Sequence, residues 1–114
     1  MHTKVLQALI DGEVLYDYRE SGNSMQPKIK HRQPVTIHPV NTELIEAGDI
    51  VIAKVHGRIF MHNVAEVRGD SVQIANNKGH VNGWTPRSKI YGIVTHVEGR
   101  PIPKAISKIR LADD

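Results

Sequence analysis

Turn-forming residues recur every ten residues or so along this chain, and that spacing restricts it to short elements. Gly12, Gly22 with Pro27, Gly48-Asp49, His56-Gly57, Arg68-Gly69-Asp70 and the stretch from Asn76 to Gly79 each interrupt the sequence. The segments between them are rich in Val and Ile, residues that fit a pleated, half-buried surface. Aromatic residues make up only 4% of the chain, so Val, Ile and Leu must carry the packing. Five or six short strands on this plan predict a mainly β fold, a small, strongly bent sheet or partly open barrel. At 114 residues and 12.7 kDa, residues 1–114 read as one domain.

Taken in order, Thr3 to Ile10 has Val5, Leu6, Leu9 and Ile10 on one helical face, with Thr3 as an N-cap and Gly12 as a stop. Residues 1–12 are therefore an N-terminal helix or an arm, since a strand fits the same short run. Val14 to Arg19 and Gln33 to Val40 read as strands, and Thr42 to Ala47 as a single helical turn. Asp49 to Val55 is a compact apolar run with β-branched residues and reads as a largely buried strand. His56-Gly57 turns it into the return strand Arg58 to Val67. Arg68-Gly69-Asp70 is turn chemistry leading into Ser71 to Ala75. Asn76 to Thr85 reads as a polar, glycine-punctuated loop that carries the single tryptophan, Trp84, either as a contact residue or as the cap of a small core. A last strand spans Ile90 to Val97, and residues 101–114 form a C-terminal tail with one helical turn.

Composition removes several classes of function. With no cysteine there is no disulfide, thiol nucleophile or thiolate zinc site. His31, His38, His56 and His80 lack the paired spacing of a zinc site, so no metal and no cofactor is expected. Asn76-Asn77-Lys78-Gly79 has too few glycines for a phosphate loop. No apolar run approaches the roughly 20 residues that cross a bilayer, and the N-terminus is too weak for a secretory signal. A soluble, cytoplasmic protein without a membrane partner follows. The net charge of +3 is a mild basic excess, concentrated only at Lys28, Lys30, His31 and Arg32. That density, without interleaved aromatics, argues against nucleic acid as the partner.

One segment has the makings of a reactive turn. In Ser21-Gly22-Asn23-Ser24-Met25-Gln26-Pro27, Gly22 gives the backbone freedom two positions before Ser24, and Pro27 fixes its own φ three positions after it. A serine hydroxyl becomes a nucleophile only when a neighbouring base takes its proton. Among the histidines, His62 alone falls inside a predicted strand, sharing a face with Phe60 and Val64. On the residues alone it is either a satisfied core histidine or that base.

These segments, with Gly48-Asp49-Ile50-Val51, Met61-His62-Asn63-Val64 and Tyr91-Gly92-Ile93-Val94, occur in the order found in LexA-like and signal-peptidase-like serine peptidases, and the chain resembles that superfamily from about Gly22 to Val97. The resemblance implies Ser24 as nucleophile and His62 as a histidine-type general base, where LexA-like members use lysine. It implies a protein or peptide substrate, and an oxyanion met by backbone N–H groups near Ser24 and Met25, with Ser21 as a further donor. Histidine-type relatives carry an aspartate after the hairpin that orients the base. Here the corresponding stretch is Ala75-Asn76-Asn77, which leaves Asn76 to orient the imidazole, and Asn63 stands where the relatives have arginine.

The 23 residues before Ser24 are too few for a helix-turn-helix domain and contain neither Ala-Gly nor Cys-Gly, the LexA-type cleavage dipeptides. A pared-down catalytic core acting on a partner protein is therefore expected. The alternative is an inactive structural or protein-binding module on the same fold, of a phage or prophage kind and then virion-associated, with homo-oligomers open to it. A DNA-associated regulator using Lys28 to Arg32 is the weaker alternative.

Overall fold

The computed structural model describes residues 3–111. Helix α1 (Thr3–Ile10) is followed by strands β1 (Leu15–Arg19), β2 (Pro34–Pro39), β3 (Ile50–Val55), β4 (Arg58–Arg68), β5 (Ser71–Ala75), β6 (Val81–Pro86), β7 (Ile90–Val97) and β8 (Arg100–Pro101). A short helix, α2 (Pro103–Ile106), follows, and single 3-10 turns at Thr42–Leu44 and Arg87–Lys89 fill two of the connections. All eight strands belong to one antiparallel sheet with the order β1-β2-β7-β3-β4-β5-β6, and β8 pairs with β7. The mainly β expectation and the bent sheet hold.

Strand β3 is the centre of the molecule. Its residues alternate between two packed layers: Val51, Ala53 and Val55 join Val64, Val72, Ile74 and Ile93, while Ile50 and Ile52 join Leu9, Met25, Ile37, Met61 and Val94. An apolar run without polar alternation is what such two-sided burial requires. The sheet then curls beyond β3. Bulges interrupt the β4–β5 and β5–β6 ladders, and each adds local twist. By β6 the sheet has come round far enough for Thr85 Oγ1 to donate to the Lys54 carbonyl at 2.7 Å.

Residues 3–10 form the helix rather than a strand. Leu6 and Leu9 are buried, and Leu9 sits directly against Gly92 of β7. A Cβ on Gly92 would lie 2.8 Å from Leu9 Cδ1 and 2.9 Å from Ile37 Cγ2, so the glycine there is a packing requirement and not a turn. Arg110 closes the same corner by donating to the Leu9 carbonyl at 3.2 Å.

Gly48 and Asp49 also have structural roles. Gly48 holds a φ of +98°, open mainly to glycine. Asp49 is buried and receives Lys108 Nζ at 2.8 Å on both carboxylate oxygens, with Glu46 taking the same ammonium at 2.9 Å. Burial pulls the lysine's proton affinity down, but the hydrogen bonds that Lys108 donates to Asp49 and Glu46, with their negative charge, outweigh it and hold Lys108 above the ordinary lysine value. The Glu46 carboxyl is held below its ordinary range by the hydrogen bond and charge of Lys108. The cluster clasps the segment after α2 to the start of β3.

One segment differs from the sequence expectation. The stretch from Asn76 to Thr85 is not a loop throughout; from Val81 it is β6, paired with β5 along its length. Asn82-Gly83 has the composition of a turn, and the glycine masked the strand. Gly83 holds a φ of +139°, which L side chains rarely adopt, and where β6 folds onto the β3–β4 turn an added Cβ would also lie 2.9 Å from His56 Nε2. Trp84 of this strand is partly exposed, with the Arg68 guanidinium 5.1 Å from its ring centroid.

Candidate active site

Ser24 lies in the loop between β1 and β2, and His62 lies in the middle of β4, opposite Val51 of β3. The fold brings them together across 38 residues of sequence: His62 Nε2 is 3.2 Å from Ser24 Oγ. Local hydrogen bonds shape the serine loop. Gln26 N–H donates to the Asn23 carbonyl and Ile29 N–H to that of Met25, while Gly22 N–H donates to His31 Nδ1 at 2.9 Å. Met25 is buried in the layer with Ile52 and Met61, so the residue after Ser24 anchors the turn in the core. The Gln26–Pro27 peptide is cis.

A second set of bonds ties this loop to the far side of the sheet. Asn77 donates its backbone N–H to the Ser24 carbonyl at 2.8 Å and its side-chain amide to the Gln26 carbonyl at 2.8 Å. Asn63 Nδ2 donates to Asn77 Oδ1 at 3.2 Å, and Lys28 Nζ donates to Asn63 Oδ1 at 3.0 Å. Asn63, next to His62, is thereby part of the frame around Ser24.

The imidazole is fixed on three sides. Its ring stacks on Phe60 at 5.0 Å between centroids, and Arg58 lies over the other ring of that pair at 5.7 Å. Its second nitrogen, Nδ1, is 2.7 Å from Asn82 Oδ1. An amide oxygen accepts, so Nδ1 carries the proton and the Nε2 lone pair faces the serine hydroxyl. His62 is 8% exposed. Burial pushes its pKa below the ordinary histidine value of 6.5, opposed by the Asn82 hydrogen bond and the negative charge of Glu20, with His80 adding to the lowering. The ring is therefore neutral at pH 7, the state that can accept a proton.

Asn82, not Asn76, is hydrogen-bonded to the His62 ring. Between β5 and β6, Ile74 pairs with Gly83 and Ala75 with Val81, so Asn82 is the extra residue of a β-bulge. Bulges re-aim side chains, and this one turns the carboxamide towards His62. Asn76 is occupied elsewhere, its Oδ1 accepting from Lys78 N–H and His80 N–H at 2.9 Å each. Glu20 was equally invisible as a partner of His62 in the sequence. It lies at the end of β1, where it also accepts from Tyr18 Oη at 3.3 Å. Burial and that carboxylate push the Tyr18 phenol up to about 12.

Ser21 shares with Ser24, Glu20 and Met61 the wall of a small depression beside the hydroxyl. No acceptor among the described residues engages the N–H of Ser24 or of Met25. Three side chains of the basic stretch after the loop make internal contacts with neutral groups, Lys28 with Asn63 Oδ1, His31 with the Gly22 N–H and Arg32 Nη1 with the Arg19 carbonyl. Among the described residues no group of three or more His, Asp or Glu side chains is arranged to hold a metal ion. None of the described helices is long and apolar enough to cross a membrane.

A family model described as Peptidase S24-like covers residues 2–94. The chain belongs to the Peptidase S24-like family. The match takes in α1, the Ser24 loop, β3, β4 and most of β7, and so includes every segment on which the resemblance was drawn. Comparisons with curated proteins and with solved structures gave no match.

Proposed function

We propose that this Peptidase S24-like chain is a serine peptidase that cleaves a peptide bond in a partner protein through a Ser24–His62 dyad. The observation that carries the reading is the 3.2 Å approach of His62 Nε2 to Ser24 Oγ, with the ring held in the accepting tautomer by Asn82. Ser24 Oγ attacks the carbonyl carbon as His62 Nε2 takes its proton, and the imidazolium returns that proton to the leaving amine. In the second half, water attacks the acyl-enzyme with the same base. The carbonyl oxygen gains charge at each attack, and the unengaged N–H groups of Ser24 and Met25, with the Ser21 hydroxyl, are the candidate donors to it.

The imidazolium formed on the way is stabilised differently from that of a Ser-His-Asp triad. Asn82 offers a dipole rather than an anion, and the negative charge comes from Glu20. The neutral partner is also the one feature that favours a second reading, a protein-binding module that has kept the dyad geometry without rapid turnover.

A fluorophosphonate probe followed by intact mass spectrometry separates the two. Adduct formation on Ser24 is expected, abolished by Ser24→Ala and slowed by roughly a thousand-fold or more by His62→Ala. A folded wild-type chain that takes no adduct at pH 8 overturns the peptidase reading and leaves the binding module.

A further inference from the structure

Away from Ser24, a groove runs between the start of β3 and the segment from the end of β7 into α2. One part is a half-open cavity of about 430 Å³ with Ile50, Val94, Val97, Ile102 and Ala105 on its walls. That volume lies within the 300–1,000 Å³ common to ligand sites, and the mostly aliphatic lining is typical of them. The neighbouring part, about 350 Å³, is polar and shares Lys28, Val97 and Ile102 with the first, so the two are continuous.

The charges along this groove are unbalanced. Lys28, Lys30 and Arg100 line the polar part, and Lys104 stands at the rim of the apolar part. Of the carboxylates present, Glu46 and Asp49 are paired with Lys108, and Glu98, bonded only to the neutral Gln33 Nε2 at 3.4 Å, is the single anion set against these four cations. An apolar slot beside a cationic trough is complementary to a ligand that carries an aliphatic group next to negative charge.

We propose that this groove binds an extended acidic peptide segment with one aliphatic side chain, the side chain entering the apolar cavity and the flanking carboxylates meeting Lys28, Lys30, Arg100 and Lys104. An extended chain advances about 3.3 Å per residue and directs alternate side chains to opposite faces, which suits a site with two unlike, adjoining compartments. The inference does not rest on hydrolysis at Ser24. It is a docking site for a partner's segment, whatever happens at the dyad.

The test uses the full chain carrying Ser24→Ala, so that nothing can be cut. Its ligand is a fluorescein-labelled, end-capped octapeptide with a single leucine among aspartates, titrated by fluorescence anisotropy. Saturable binding that weakens as salt is raised is expected. It should weaken at least tenfold when the leucine is exchanged for serine, and as much when the aspartates are exchanged for asparagines. Ala47→Phe, at an exposed position on the cavity rim, and the exposed pair Arg100→Glu with Lys104→Glu should each weaken binding at least tenfold while the unfolding midpoint stays within a few degrees. Binding indifferent to the leucine or to Ala47→Phe overturns the proposal, as does no binding at all. So does self-association in sedimentation velocity that Ala47→Phe abolishes, which would assign the groove to a second copy. Saturable binding of dodecanoate without binding of the peptide would likewise assign it to a small amphiphile.

Discussion

Asn82, the extra residue of a β-bulge, places its carboxamide oxygen 2.7 Å from His62 Nδ1, and so decides which nitrogen of that ring is free to face Ser24. Asn82→Ala removes the acceptor while leaving the ring stacked on Phe60. Loss of orientation of this kind costs about 100-fold in reactions that depend on alignment, and labelling of Ser24 should slow by that order. Asn82→Asp sets an anion in the same place, which favours the charged ring and raises the His62 pKa. The acid limb of the labelling rate, which lies below the ordinary histidine value in the wild type, should then move to higher pH. Rates of fluorophosphonate labelling from pH 5 to 9 for the three proteins check both outcomes; an unmoved limb in Asn82→Asp would remove Asn82 from the proton path.

The sequence singled out the serine and the histidine that the fold brings together, but not the residue that holds the ring. Ser24 stands in a distinctive turn, and His62 in a clear strand, so each announced itself through local chemistry. Asn82 is defined by a register shift between β5 and β6, a property of two strands together that no local pattern encodes. Its neighbour Gly83 made matters worse, because glycine in a polar run reads as a turn unless one knows that His56 presses against it. Glu20 acts on His62 through space, and nothing in its own neighbourhood signals that. The strands from β2 to β5 were legible because aliphatic runs and turn residues alternate cleanly there. Residues 3–10 fitted a helix or a strand until Gly92 supplied the flat surface on β7 that accepts a helix.

Gly92→Ala tests that surface. The new methyl meets Leu9 and Ile37 at distances that cannot be accommodated without movement. Overpacking of this kind costs roughly 1–3 kcal/mol, so the urea midpoint should fall and α1 should exchange its amide protons faster than in the wild type. A double variant, Gly92→Ala with Leu9→Ala, should recover part of the loss, and a pair of strictly additive effects would argue against direct contact.

Lys108 and Asp49 give a different signature. Removing one partner of a buried pair strands the other charge, at roughly 3–5 kcal/mol. Lys108→Met should therefore lower the stability measured by urea unfolding by about that amount. Lys108→Met combined with Asp49→Asn should be distinctly less damaging than Lys108→Met alone. Equal losses in the two would mean that the clasp acts through packing and not through charge.

The histidines set a pH dependence on the fold itself. Burial lowers the pKa of His38, with a further push from His96, whose ring centroid is 6.4 Å away. His62 is lowered mainly by burial as well. A histidine whose folded pKa lies below its unfolded value binds more protons when unfolded, so its contribution is complete above 6.5 and is lost as pH falls through that value towards the folded pKa. The unfolding temperature should decline between about pH 7.5 and 5.5, and His38→Asn should make the decline shallower. A flat profile over that range would show that these rings titrate alike in both states.

His62 faces Val51 across the β3–β4 ladder, and β3 is enclosed on both of its sides. The imidazole is thus mounted on the segment whose amides should be the last to exchange with solvent, in the cooperative unit that opens only when the whole chain does. Ser24, by contrast, rides on a surface connection. Thermal fluctuation will therefore separate the pair by moving the hydroxyl and not the ring, so substitutions that stiffen the Ser21–Pro27 connection should prolong the time the two spend within reach of each other.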